Sequence, residues 1–160
     1  GALAATFAES LAQRNALWRL RESVPEAQRH EGASIKHDVS VPVAALPAFL
    51  DMASAAVTRV APNARLVAYG HVGDGNFHLM ILIDPKNQKE IEEAKAINGR
   101  VVERALAMEG TCTGEHGVGI GKQPYLRKEL GEDVVAIMRD IKQLLDPDNL
   151  MNPGKVISIQ

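Results

Sequence analysis

The sequence has few of the features that mark a secreted, membrane-spanning or nucleic-acid-binding chain. It contains one cysteine, Cys112, among 160 residues, which excludes an intramolecular disulfide and a metal site built from thiolates alone. Its 18 Lys and Arg and 20 Asp and Glu give a net charge of −2, so no net field attracts nucleic acid or an anionic membrane. No apolar run reaches the roughly 18–20 residues that span a bilayer, so no transmembrane segment is expected.

The composition that remains is that of an ordinary globular domain, with 46% hydrophobic and 24% charged residues. The length predicts one domain over residues 1–160. The chain starts at Gly1 without an initiating Met or the start of a signal peptide, and we therefore expect a piece of a longer protein. The single cysteine permits a reducing compartment, and we expect the cytoplasm, with peripheral association with a membrane through an electron acceptor left open. A homodimer is left open.

Hydrophobic periodicity predicts the order β-α-β-β-α-β in the middle of the chain, with one helix before it and one or two after it. The predicted helices are 4–23, 46–60, 87–108 and 134–145, and the predicted strands are 35–41, 65–71, 77–83 and 111–115. This order predicts an α+β fold, a ferredoxin-like antiparallel sheet with helices on one face and flanking N- and C-terminal helices.

Two glycine-rich segments, residues 70–75 and 110–121, lie beside several histidines. An Asp74-Gly75 two-residue turn predicts that His71 lies directly opposite His78, with Cβ atoms about 4.5–5.5 Å apart. Two imidazoles at this separation can bind one metal ion, and Glu115 in the second segment is the obvious third ligand. A His₂Glu set with open positions is typical of catalytic metal sites.

Simpler interpretations of the same residues stay open. The histidines can form a polar cross-strand pair, with Glu115 as a solvated loop residue. The run from Gly117 to Lys122 is not a phosphate-binding loop, because that motif requires Gly where His116 stands and Ser or Thr where Gln123 stands. Cys112 is better explained as a small buried residue than as a nucleophile.

Three long motifs occur in a family-specific order: GHVGDGNFH (70–78), GTCTGEHGVGIGK (110–122) and LLDPDNLMNPGK (144–155). Together with LWRLRES (17–23) and KHDVSVP (36–42), they resemble the C-terminal substrate and cap domain of the FAD-linked D-2-hydroxyacid dehydrogenases. That group includes D-lactate, D-2-hydroxyglutarate and glycolate dehydrogenases of the vanillyl-alcohol-oxidase superfamily. The resemblance covers nearly the whole chain.

The resemblance implies roles for the residues near the two glycine-rich segments. His71, His78 and Glu115 match the metal ligands of the family, usually assigned as zinc, which agrees with the hairpin argument. His116 matches the catalytic base that removes the hydroxyl proton of a small 2-hydroxy acid. FAD then accepts the hydride and is bound mainly by another domain of the same protein.

The resemblance also implies substrate and cofactor contacts. Arg21 and Lys36 match positions that hold substrate carboxylates, while Asn76 and Asn152 match positions that approach the flavin. Met80 is typical of the lactate-type members, but Arg21 and Lys36 are closer to the hydroxyglutarate branch, so the pattern leaves the substrate open between the two.

The resemblance implies an enzyme domain that cannot turn over substrate alone. The sheet face that carries His78 and Met80 is expected to be open and to dock the flavin-binding domain. Two other functions stay open: a metal-dependent hydrolase that uses the same His/His/Glu site, and a non-catalytic ferredoxin-like module that binds a metal or a partner.

Overall fold

The computed structural model describes residues 6–159. The chain divides into two compact units, one up to Ala33 and the other from Ser34 onward. The helices are α1 (Leu11–Arg29), α2 (Leu46–Val60), α3 (Gln88–Ala107), α4 (Gln123–Leu130) and α5 (Glu132–Leu145), and the strands are β1 (Ala33–Ser40), β2 (Arg65–Tyr69) and β3 (Asn76–Ile83).

Helix α1 is shifted toward the C-terminus relative to its predicted span of 4–23. It begins after Ser10, whose side chain caps the helix by accepting a hydrogen bond from the Gln13 amide at 3.2 Å. It continues through Pro25 to Arg29, because an interior proline removes one hydrogen bond without forcing the helix to end. Residues 4 and 5 of the predicted helix lie outside the described residues.

The sheet has the strand order β1-β3-β2, with β3 in the centre. β2 pairs with β3 in antiparallel register, and the predicted α+β class with an antiparallel sheet is confirmed. The predicted fourth strand, residues 111–115, is reduced to one antiparallel bridge between Thr111 and Ser40. The chain leaves the sheet after this bridge because the following amides donate to side chains instead of to a strand: that of Cys112 to Glu129, and those of residues 114–116 to Asp38.

The core lies on the face of β3 that carries Phe77, Leu79 and Ile81, which are buried together with residues of α2 and α3. The prediction that the opposite face is open is wrong, because His78, Met80 and Leu82 retain only 8%, 2% and 6% exposure. On this face the His78 ring is in contact with the rings of Tyr69 and His116, and β3 is buried at every position from Asn76 to Leu82.

Helix α2 covers the predicted range and α3 differs from its prediction by one residue at each end. Contrary to the expectation that no run reaches this length, the stretch Val43–Val60 has a mean hydropathy of 1.4 over 18 residues and is, by length and composition only, long and apolar enough to cross a membrane. The apolar face of α2 packs into the hydrophobic core, where Leu46, Phe49, Ala53 and Val57 are buried.

Candidate active site

The hairpin between β2 and β3 does not have the predicted two-residue turn. Tyr69, not His71, lies opposite His78, so the predicted direct pairing of the two histidines is wrong. The reason is a longer connection over residues 70–75, which contains a short 3₁₀ turn and ends at Gly75 with a φ of 70°. His71 therefore lies in the turn itself, where its main-chain oxygen accepts hydrogen bonds from the amides of Asp74 and Asn76.

Three imidazoles nevertheless surround the carboxylate of Glu115. His78 Nε2 lies 2.6 Å from Oε1, within hydrogen-bond distance. His71 Nε2 lies 3.7 Å from Oε2, and His116 Nε2 lies 4.0 Å from Oε1. The structure thus brings together the three predicted metal ligands and the predicted base.

The buried and exposed histidines of this group stack on each other. The rings of His78 and His116 lie 4.8 Å apart between centroids, with an interplanar angle of 16°. The side chain of His78 is 10% exposed and that of His116 is 67% exposed. The buried ring of His78 therefore supports a His116 imidazole that is open to a small molecule from solvent.

A residue that the sequence analysis did not single out organises this site. Asp38 is buried at the end of β1. Its Oδ2 accepts hydrogen bonds from the main-chain amides of Gly114, Glu115 and His116 at 3.0, 3.1 and 3.0 Å. The Thr113 hydroxyl donates to the same oxygen at 3.0 Å. Successive amides that point at one anion form a nest-like concavity.

The Asp38 carboxyl is held in its charged form. Burial alone raises its pKa, but the hydrogen bonds from the His116 amide, the Asn76 side chain and the Glu115 amide, together with the Lys122 charge, bring the pKa well below its usual range. Lys122 Nζ lies 3.6 Å from Oδ2 and donates to the Asp38 main-chain oxygen. Burial lowers the pKa of Lys122, and the charge of Asp38 opposes that effect.

Two overlapping sets of donors can be considered for a metal ion. Asp38, His78 and His116 offer ligand atoms within 4.8 Å of one another. The Asp38 oxygens, however, already accept hydrogen bonds from the loop amides and from Asn76, which leaves little lone-pair capacity for a cation. The Glu115 oxygens face imidazoles instead, so the donor chemistry of His71, His78 and Glu115 fits a divalent cation better.

The main chain at Gly114 lies so close to the side chains of Asn76 and Asp38 that only a residue without a Cβ atom fits there. A Cβ atom at this position would lie 1.7 Å from Asn76 Nδ2 and 2.6 Å from Asp38 Oδ1. At Gly121 a Cβ would meet nothing within 4 Å among the described residues. The absence of a side chain is therefore required by close packing at Gly114 but not at Gly121.

The remaining predicted contacts are spread over the chain. Arg21 is partly buried on α1 in the first unit, Lys36 is exposed on β1, and Asn152 is exposed with a φ of 49°. Asn76 is buried and donates from Nδ2 to Asp38 Oδ1 at 3.0 Å. Their roles toward substrate and flavin stay predictions.

Cys112 is part of the hydrophobic core and has no exposed surface. Burial, with the hydrogen bond and charge of Glu129, raises the pKa of its thiol to about 12. The thiol therefore stays protonated at neutral pH, which agrees with the interpretation of Cys112 as a small buried residue.

Comparison with known proteins identifies the family. A family model for the C-terminal domain of FAD-linked oxidases matches residues 1–156. The chain belongs to this family. The recognition made from the sequence motifs is therefore confirmed.

Three similar proteins illustrate two kinds of dehydrogenase. The chain is 40% identical over 156 residues to a probable mitochondrial D-lactate dehydrogenase of Danio rerio, with 96% of the chain and 31% of the relative covered. It is 38% identical over 152 residues to a D-2-hydroxyglutarate dehydrogenase of Xanthomonas citri pv. viticola, covering 94% and 32%. A mitochondrial D-2-hydroxyglutarate dehydrogenase of Danio rerio is 37% identical over 152 residues, covering 95% and 28%.

The chain thus spans about a third of the length of these curated relatives. Two of the relatives are mitochondrial by name, and the expected cytoplasmic location of this chain stays a prediction.

Proposed function

We propose that residues 1–160 form the single substrate and cap domain of an FAD-linked dehydrogenase. The enzyme oxidises a D-2-hydroxy acid of the D-lactate or D-2-hydroxyglutarate type to the 2-oxo acid. The observation that carries the proposal is the convergence of His71, His78 and His116 on Glu115 in a chain of the FAD-linked oxidase family. The domain that binds FAD is another part of the same protein, in line with the greater length of the relatives.

His71, His78 and Glu115 hold a divalent cation, and Zn²⁺ fits this mixed nitrogen and oxygen set. A bound cation would supply Lewis acidity that favours loss of the substrate hydroxyl proton, and a bound FAD would supply the acceptor for the hydride from the carbon that carries that hydroxyl. Because the His78 side chain is 10% exposed and the Glu115 side chain 44% exposed, the set is anchored in the sheet and open toward substrate.

His116 acts as the general base of the reaction. Its imidazole takes the hydroxyl proton of the substrate, so that the oxidised carbon can form its carbonyl bond. The ring is exposed enough to reach a bound substrate, and the stacking on His78 at 4.8 Å limits its orientation. A fixed and accessible imidazole is what proton transfer from a small alcohol requires.

Substrate and flavin contacts complete the proposal. Arg21 offers a planar fork for a carboxylate, and Lys36 offers an exposed ammonium group. Asn152 and the hairpin that carries Asn76 face the flavin in the assembled enzyme. These assignments rest on the motif resemblance.

The test uses the full-length flavoprotein that contains this chain, an artificial electron-accepting dye, and D-lactate, D-2-hydroxyglutarate and their L-enantiomers. Chelation should abolish dye reduction with the D-acids, and Zn²⁺ should restore it. His116→Gln should lower kcat by about 10²–10⁴-fold while metal content is retained. His30→Gln, at an exposed histidine that follows α1, is the matched control.

Retention of full activity after removal of all metal would overturn the role of the His71, His78 and Glu115 set. Hydrolysis of an ester or amide without dye reduction would favour the hydrolase. Metal binding without either reaction would favour the non-catalytic module.

A further inference from the structure

The segment from Thr113 to Lys122, called the site loop here, is held at both ends by one residue. At its start, the Thr113 hydroxyl and the amides of Gly114, Glu115 and His116 donate to the Asp38 carboxylate. At its end, Lys122 donates to the Asp38 main-chain oxygen and pairs with the carboxylate. A single residue of β1 thereby closes the loop that carries Glu115 and His116.

We propose that Asp38 is the positioning residue of the candidate active site, fixing Glu115 and His116 against His78 through the main chain of the site loop. In this proposal Asp38 acts through Glu115, His116 and His78 and not directly on the substrate. The proposal rests on the function proposed above, because it assigns a part in that reaction to a residue outside the predicted site.

The chemistry of the contacts requires a carboxylate at this position. Oδ2 accepts from one hydroxyl and from main-chain amides, and hydrogen bonds to an ionised acceptor are shorter and stronger than neutral ones. An asparagine would offer one acceptor oxygen and turn two donor hydrogens toward other donors. The isosteric change Asp38→Asn should therefore release the loop while it preserves the volume of the side chain.

The Asp38 carboxylate also lies close to the His78 ring. Asp38 Oδ1 is 3.7 Å from His78 Nδ1 and accepts a hydrogen bond from Asn76 Nδ2 at 3.0 Å. One group therefore adjoins the ring of His78 and the main chain of Glu115 and His116. Displacement of this group should disturb the relative placement of all three residues.

The experiment measures amide hydrogen exchange by mass spectrometry in the full-length protein. In Asp38→Asn, exchange in the peptide that covers residues 114–116 should rise by about tenfold or more, while exchange in β3 stays unchanged. Titration with Zn²⁺ alone should show an affinity lower by about tenfold or more, and kcat should fall at saturating Zn²⁺ and substrate. Asp51→Asn, at an exposed acid of α2, should change none of these.

A second variant keeps the proposal testable if Asp38→Asn does not fold. Gly114→Ala introduces a Cβ that overlaps Asn76 and Asp38 and should reproduce the faster loop exchange and the weaker Zn²⁺ binding. Gly121→Ala, in the same loop with nothing within 4 Å of the added Cβ among the described residues, should match the parent protein.

Unchanged loop exchange in both Asp38→Asn and Gly114→Ala would overturn the positioning role, as would a uniform rise over the whole sheet. The exchange measurement does not depend on any reaction. A protein without dehydrogenase activity would therefore refute the proposed function, while the exchange rates of the two variants would still test the role of Asp38.

Discussion

The two loops that supply the candidate site are fixed in different ways. The hairpin loop, residues 70–75, is closed by main-chain hydrogen bonds close in sequence, such as those from the amides of Asp74 and Asn76 to His71. The site loop is closed by the side chain of Asp38, and the Thr113 contact spans 75 positions of sequence. The first loop depends on backbone conformation, and the second depends on one distant charge.

The two loops are therefore sensitive to different substitutions. A change that forbids the backbone conformation at Gly75 should damage the hairpin loop whatever the charge nearby. A change that removes a donor to Asp38 should damage the site loop whatever its backbone preferences.

Gly75→Ala should destabilise the protein most. Gly75 has a φ of 70°, and an added Cβ would lie 2.0 Å from the main-chain oxygen of Val41. The strained conformation and the overlap together should lower the free energy of unfolding by about 2–4 kcal/mol, measured by urea denaturation. Gly73→Ala, where a Cβ meets nothing within 4 Å among the described residues, should change it by less than about 0.5 kcal/mol. Equal effects at the two glycines would contradict the backbone explanation.

Thr113→Val should have a smaller effect that is confined to the site loop. The hydroxyl of Thr113 donates to Asp38 Oδ2 at 3.0 Å and also lies 3.0 Å from the Gly117 oxygen. Loss of a hydrogen bond to a charged group should lower the free energy of unfolding by about 1–2 kcal/mol. Thr58→Val, which removes an exposed hydroxyl contact to Ser54 on α2, is the control and should cost less. An equal loss for the two variants would argue against a special role for the Asp38 contact.

His37 should give the smallest effect, visible as a pH dependence of stability. It neighbours Asp38 on β1 and is 3% exposed, with Nδ1 2.5 Å from Asn98 Oδ1. Burial lowers its pKa, the Asn98 hydrogen bond opposes this, and Lys122 adds to the lowering. Below the ordinary pKa of about 6.5 the unfolded chain therefore binds more protons than the folded one, and stability falls as the pH falls.

The measurement compares urea denaturation at pH values of about 7.5 and about 5.5, on either side of the ordinary histidine pKa. The loss of unfolding free energy between these values should be smaller in His37→Gln than in the parent protein, and His30→Gln should keep the parent behaviour. The same pH dependence in all three proteins would remove His37 as its source.

The contrast between the loops also explains what could be predicted from the sequence. The alternating residues Phe77, Leu79 and Ile81 predicted the strand and its core face because periodicity is a local signal. The turn chemistry of Asp74-Gly75 predicted a hairpin but not the length of its loop, and the longer loop places Tyr69 instead of His71 opposite His78. The approach of His71, His78 and Glu115 was still predicted, because the two segments meet at one end of the sheet.

Asp38 could not be assigned from its local pattern. Within β1 it alternates with apolar residues, a pattern that predicts a polar face, yet it is buried. Its partners are main-chain amides of a distant segment, which any sequence can supply. The available signal was a carboxylate in a predicted strand, together with a glycine-rich segment, residues 110–121, whose main-chain amides need hydrogen-bond acceptors.

The placement of His78 on β3 has a practical consequence for engineering this protein. Its neighbours along the strand, Phe77 and Leu79, belong to the hydrophobic core, so the imidazole is rigidly connected to the packing beneath it. Mutations chosen to raise thermal tolerance at those two positions would also move a ring at the centre of the proposed chemistry. Thermostabilising design should begin elsewhere, for example on the exposed surface of α5.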